Sequence, residues 1–113
     1  MERAVFVYTT YPSLVEAEAA GRAMVELRLC ACINILPNMI SHYRWEGAVE
    51  RGEEVVMIIK TRASLAERVA DEVKRRHSYA TPSLSVIPLE SVDQNYLAWI
   101  LAETEAPAAT SNE

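Results

Sequence analysis

The chain has 113 residues, half of them apolar and 24% charged, with only 3 glycines and 5 prolines, a composition that fits one globular domain and argues against disorder. An excess of 16 acidic over 11 basic residues gives a formal net charge of -5 and leaves no extended cationic surface, so nucleic acid is not an expected partner. No apolar run approaches the ~20 residues that span a bilayer, and residues 1–8 lack the basic-then-apolar build of a secretory signal, so no membrane partner is expected and the expected location is the cytoplasm.

The run Val5-Phe6-Val7-Tyr8-Thr9-Thr10 is rich in β-branched and aromatic residues and stops at Tyr11-Pro12-Ser13, which predicts a first strand. Ser13 and Glu16 have capping-box spacing, and Leu14, Ala17, Gly21, Met24 and Val25 share one side of a helical wheel, which predicts a half-buried first helix. Cys30 and Cys32 follow, two positions apart, too close for an easy disulfide and without the paired Cys-x-x-Cys halves of a structural zinc site. Reduced thiols are expected. From Cys32 to Trp45 the chain reads as a long strand interrupted at Pro37, and it returns after a polar turn around Glu50 to Glu53 as Val55 to Lys60, so a hairpin is predicted. Ser64 and Glu67 have capping-box spacing again, and Leu65, Ala66, Val69, Ala70 and Val73 form the apolar face of a second helix. Leu84 to Leu89 supplies a fourth strand and Ser91 to Leu101 a short third helix. The expected domain covers residues 1–103, and the polar, alanine-rich segment 104–113 is expected to be a disordered tail.

Residues 4–38 align without a gap on residues 55–89, with identities that include Val5 with Val56, Thr10 with Thr61, Ser13 with Ser64, Glu16 with Glu67 and Pro37 with Pro88. Each half is a strand, a capped helix and a strand. The expected fold is therefore α+β, a ferredoxin-like β-α-β-β-α-β sandwich with an antiparallel sheet and both long helices on one face, followed by a short C-terminal helix. Two helices cover only one face of such a sheet, yet Val55-Val56-Met57-Ile58-Ile59 is apolar at both parities. Either the third helix or another subunit must cover the second face, and oligomerisation is the stronger reading.

Among single residues His77, closing the second helix, is the most chemically suggestive, because imidazole titrates near neutrality and binds borderline and soft metals; a histidine there more often serves free helix carbonyls. Cys32 could supply a thiolate, although reduced cysteine is commonly a core residue. His42 lies mid-strand, and no pattern joins it to His77. Without a nucleophile elbow or a glycine-rich phosphate loop, no catalytic constellation emerges, and an enzyme is not expected. Trp45-Glu46-Gly47 beside Tyr43 reads either as a strand bend whose Trp packs at an interface or as a small-ligand or metal pocket.

Leu29-Cys30-Ala31-Cys32-Ile33-Asn34-Ile35-Leu36-Pro37, Ser41-His42-Tyr43-Arg44-Trp45-Glu46-Gly47, Ile58-Ile59-Lys60-Thr61, His77-Ser78-Tyr79-Ala80-Thr81-Pro82 and Tyr96-Leu97-Ala98-Trp99 resemble, in order and spacing, the CutA divalent-cation tolerance family. The resemblance covers about Val5 to Leu101. It implies a homotrimer similar in architecture to the PII signalling proteins, with strand edges pairing between neighbours and with Asn34, Tyr43, Trp45, Glu46, Lys60 and Tyr79 at intersubunit or ligand-binding clefts. It also implies a role in tolerance of copper and other divalent metals, as in bacterial members; animal relatives are linked to anchoring of a membrane esterase. Where copper ligands are proposed in the family, a cysteine closes the first strand and two adjacent histidines close the second helix, whereas here those places hold Thr9, Arg76 and His77. No obligatory cofactor is therefore expected, and copper or another soft metal would be held weakly, through His77 and Cys32. The second functional expectation is a non-enzymatic, PII-like signalling or scaffold trimer that takes a small molecule or protein partner in its clefts.

Overall fold

The computed structural model describes residues 2–105. Eight segments of regular structure follow one another: β1 (Ala4–Tyr11), α1 (Leu14–Glu26), β2 (Cys32–Trp45), β3 (Ala48–Arg62), a 3₁₀ turn (Ala63–Leu65), α2 (Ala66–Arg75), β4 (Leu84–Pro88) and α3 (Gln94–Glu103). The four strands form one antiparallel sheet in the order β2-β3-β1-β4, the order expected when two β-α-β halves interleave. The sequence repeat is visible in space, since its two aligned copies of the first strand are β1 and the second half of β3, paired at the centre of the sheet from Ala4↔Arg62 to Tyr11↔Val55.

Alternation along the strands sorts their side chains onto two faces. On the first face Val7, Tyr11, Val55, Met57 and Ile59 meet Ala17, Ala20 and Met24 of α1 and Val69 and Val73 of α2, all buried. Each large apolar side chain enclosed here contributes about 2 kcal/mol of transfer free energy. Helix α1 comes very near the sheet at Gly21, where a Cβ would lie 2.8 Å from Ile33 Cδ1 and 2.9 Å from Met57 Sδ. That closeness explains why alanines, not the expected Leu14 and Val25, fill the α1 contact: both of those are exposed.

The second face carries Phe6, Tyr8 and Thr10 from β1, Val56, Ile58, Lys60 and Arg62 from β3, and Cys32, Asn34 and Leu36 from β2, as their direct pairings require. Helix α3 covers one end of it. The Lys60 ammonium sits between the Phe6 and Tyr96 rings at 5.4 and 5.6 Å from their centroids. Buried Arg62 donates to the carbonyls of Leu101 (2.6 Å) and Thr104 (3.3 Å) and to Thr104 Oγ1 (2.9 Å), and Arg28 donates to the Ala102 carbonyl, so two guanidiniums satisfy the C-terminal carbonyls and dipole of α3.

Four expectations are corrected. The hairpin turn is Glu46-Gly47, both at positive φ (48° and 83°), the two-residue turn whose twist suits a hairpin; Glu50 to Glu53 lie on β3 instead, where no core lies behind them to demand apolar residues. Ser64 does not cap α2, which has no side-chain cap; its N–H and hydroxyl both donate to the Glu2 carboxylate, 3.8 Å from Arg62. The third helix runs from Gln94 to Glu103, not from Ser91 to Leu101, because Asp93 caps it by accepting from the Tyr96 N–H. The boundary expected at residue 103 leaves out Thr104, which is buried against Arg62, and Glu105, whose carboxylate pairs with Arg68; the rest of the expected tail, 106–113, lies outside the described residues.

Candidate functional site

Pro37 and Asn38 form a bulge in β2, across which the register steps from Leu36↔Val56 to Met39↔Glu54, and Asn38 takes the positive φ (67°) that the extra residue needs. The bulge keeps Met39, Ser41, Tyr43 and Trp45 on the same face as Asn34 and Leu36. Beyond Val55 strand β1 has ended, so Met39–Trp45 and Ala48–Glu54 continue as a two-stranded arm about 24 Å long. Asn34, Tyr43, Trp45 and Lys60 thus share the second face, with Glu46 in the arm's turn. From the Lys60 pairing to the Ala48 pairing, however, β3 runs about 40 Å, so these residues make no pocket within one chain.

At the base of the arm lies a residue that the sequence reading missed. Glu54 accepts hydrogen bonds from Ser41 Oγ (3.1 Å) at Oε1 and from Tyr79 Oη (3.1 Å) and Thr10 Oγ1 (3.4 Å) at Oε2. Burial, and after it the Glu54 hydrogen bond and charge, push the Tyr79 phenol up from its ordinary value, so Tyr79 stays a donor. In sequence Glu53-Glu54 looks like a solvated turn, and only the pairing register distinguishes Glu54 from its neighbour.

His77 is placed on the other face. Its ring is fully buried and stacks on Tyr11 with centroids 4.3 Å apart. Nε2 lies 2.6 Å from the Thr10 carbonyl and Nδ1 accepts the Tyr79 N–H at 3.0 Å. A carbonyl can only accept and an N–H can only donate, so the ring is the neutral Nε2–H tautomer with both nitrogens engaged. Cys32 lies five residue pairs further along the sheet, about 17 Å, and on the opposite face; its thiol contacts the Ile33 carbonyl and the Asn34 amide. Its neighbour Cys30 is enclosed in the core, where burial, followed by the Cys32 charge, pushes its thiol up to about 12. Both cysteines are unpaired. Among the described residues no three His, Cys, Asp or Glu side chains gather where they could hold a metal ion.

The fold as a whole agrees with that of known proteins. The family described as CutA1 divalent ion tolerance protein matches residues 5–103. The chain belongs to this family. An Archaeoglobus fulgidus relative named Divalent-cation tolerance protein CutA is 45% identical over 84% of this chain and 92% of its own length. Human Protein CutA is 37% identical over 88% of this chain but only 55% of its own. Among solved CutA structures, that of Archaeoglobus fulgidus, described as periplasmic, covers 90% of this chain and 99% of its own at 43% identity and a TM-score of 0.87; the Ehrlichia chaffeensis CutA1 structure reaches 0.90 at 27% identity, over 94% and 99%. An Arabidopsis thaliana relative is named chloroplastic, so CutA proteins are not tied to one compartment. In this member no helix is long and apolar enough to cross a membrane, among the described residues.

Proposed function

We propose that the protein serves divalent-cation tolerance as a non-enzymatic, PII-like homotrimer, with its working clefts at subunit junctions and its site of action in the cytoplasm. One observation carries this reading: among the described residues, large apolar side chains on the second face and the arm are left exposed where α3 does not reach. Leu36, Tyr43, Trp45 and Ile87 lie on that face, 44–63% exposed, beyond the reach of α3. A two-stranded ribbon is marginal in water unless something packs on it, and the two sheet edges, β2 and β4, are open templates for strand pairing. Neighbouring copies would cover all of these and would draw Asn34, Tyr43, Trp45 and Lys60, strung out in one chain, into shared clefts.

Light scattering at micromolar concentration should give about 38 kDa, three times the 12.6 kDa chain, and the melting temperature should rise with concentration. Leu36→Glu should dissociate the assembly. A stable monomer of the unaltered protein would overturn the reading.

Copper-type ions are proposed to bind weakly. Engagement of both His77 nitrogens supports this, since a metal would have to displace one of those hydrogen bonds. Cys32, half-buried, is the more available soft donor. Cu(I) titration under reducing conditions should show weak binding reduced in Cys32→Ala and His77→Ala. Tight, stoichiometric binding retained by both variants would exclude these donors.

A further inference from the structure

At the end of the sheet opposite the arm, where β1 begins and α3 covers the second face, a groove of about 460 Å³ opens between the N-terminal segment and the connection from β4 to α3. Ala4, Leu89, Val92 and Leu97 give it an apolar lining, Ala4 buried and the other three half-buried. None of its lining residues is among the large apolar side chains left exposed on the second face or the arm.

Two charges of opposite sign border this lining. Arg3 is exposed and donates one N–H, from Nη2, to the Leu89 carbonyl at 3.0 Å, which holds the guanidinium at the groove and leaves most of its donors open. Among the described residues no carboxylate lies within ion-pair distance of Arg3, although Arg22, Arg51, Arg62, Arg68, Arg75 and Arg76 each have one. Glu90, next along the chain from Leu89, is likewise exposed, and no cation among the described residues pairs with it. The other charged group of the lining, Glu2, is already engaged by Ser64 and Arg62. A bare carboxylate in the groove would meet the Glu90 charge, and a bare amine would meet that of Arg3. A molecule that carries both charges and an apolar side chain is complementary to all of the lining.

We propose that this groove binds an apolar α-amino acid in its zwitterionic form. The amino acid's carboxylate takes N–H groups of Arg3 and its ammonium donates to Glu90, while its side chain rests against Ala4, Val92 and Leu97. Both charged groups are exposed to water, so the affinity is on the order of 1 mM. The lining belongs to one chain, and the site does not rest on the trimer reading.

Saturation-transfer NMR titrations of the full chain, with mass measured by light scattering in the same samples, test the site. The probes are leucine, 4-methylpentanoate, which lacks its ammonium, and 3-methylbutylamine, which lacks its carboxylate. Leucine should bind saturably and roughly three- to fivefold more tightly than either analogue. Glu90→Gln should bring leucine to about the affinity of 4-methylpentanoate, and Arg3→Gln to about that of the amine. Arg3→Lys, which keeps the charge but not the planar fork, should lose less than Arg3→Gln and serves in its place if Arg3→Gln does not fold. Absence of saturable leucine binding, equal binding of leucine and either analogue, or leucine binding unchanged in Glu90→Gln or Arg3→Gln would overturn the proposal. A mass of one chain with leucine bound as expected would overturn the trimer reading alone, and a trimer that binds no leucine would overturn the amino-acid site alone.

Discussion

Replacing Tyr11 with phenylalanine should not weaken the protein, contrary to the usual result of deleting a buried hydroxyl. Tyr11 is fully buried and its hydroxyl has no hydrogen-bond partner among the described residues, whereas its ring packs in the core and stacks on His77. Tyr11→Phe keeps the ring contacts and removes an unpaired polar group, whose burial costs about 1–3 kcal/mol. Stability at pH 7 should therefore be unchanged or higher by about that amount. A second signature lies in alkali. Burial, followed by the Glu16 charge and opposed by Arg76, pushes the Tyr11 phenol up to about 12 from its ordinary 10.0. Below pH 10 folded and unfolded chains both hold the proton; between pH 10 and 12 the unfolded chain alone releases it, so native stability falls by roughly 2–3 kcal/mol over that window. The phenylalanine variant lacks this loss, while the Cys30 contribution, running from 9.0 to about 12, remains in both proteins. Urea denaturation at fixed protein concentration from pH 7 to pH 11 should show the stability difference growing above pH 10. A variant weaker by about 1 kcal/mol or more at pH 7, or a difference that does not change with pH, would refute the reasoning.

Arg62→Ala should cost roughly 3 kcal/mol in denaturant titrations, because it strands the α3 carbonyls and leaves the Glu2 carboxylate half-buried without its cation; a loss below about 1 kcal/mol would show that α3 holds without it. Gly21→Val should destabilise by about 2 kcal/mol or more, since even the first carbon of the side chain meets Ile33 and Met57 at under 3 Å, and an unchanged urea midpoint would mean that α1 moves freely off the sheet. Gly47→Ala meets no neighbour but must hold φ near +83°, so it should cost about 1 kcal/mol through backbone strain alone; Gly47→Asn, which tolerates that region, should cost less.

The sequence by itself determined the elements and the fold, because strand and helix periods are local and the doubled strand-helix-strand order leaves few topologies. Val5 to Tyr8, the Ser13 cap and the Val69–Val73 face all stand where their periodicity put them. It also raised, through the double parity of Val55 to Ile59, the expectation of a cover over the second face. Where interactions are not local, the tertiary structure decided. Ser64 has the spacing of a cap, but a carboxylate 62 residues away takes its hydrogen bonds. His77 and Cys32 both have the chemistry of ligands, yet strand register puts them on opposite faces and well apart. Glu53 and Glu54 are indistinguishable as letters. A one-residue difference in a period of two, carried along β3 from its pairing with β1, turns one toward solvent and Arg51 and the other toward the hydroxyls of Thr10 and Tyr79, and the β2 bulge at Pro37 and Asn38 brings Ser41 to the same face.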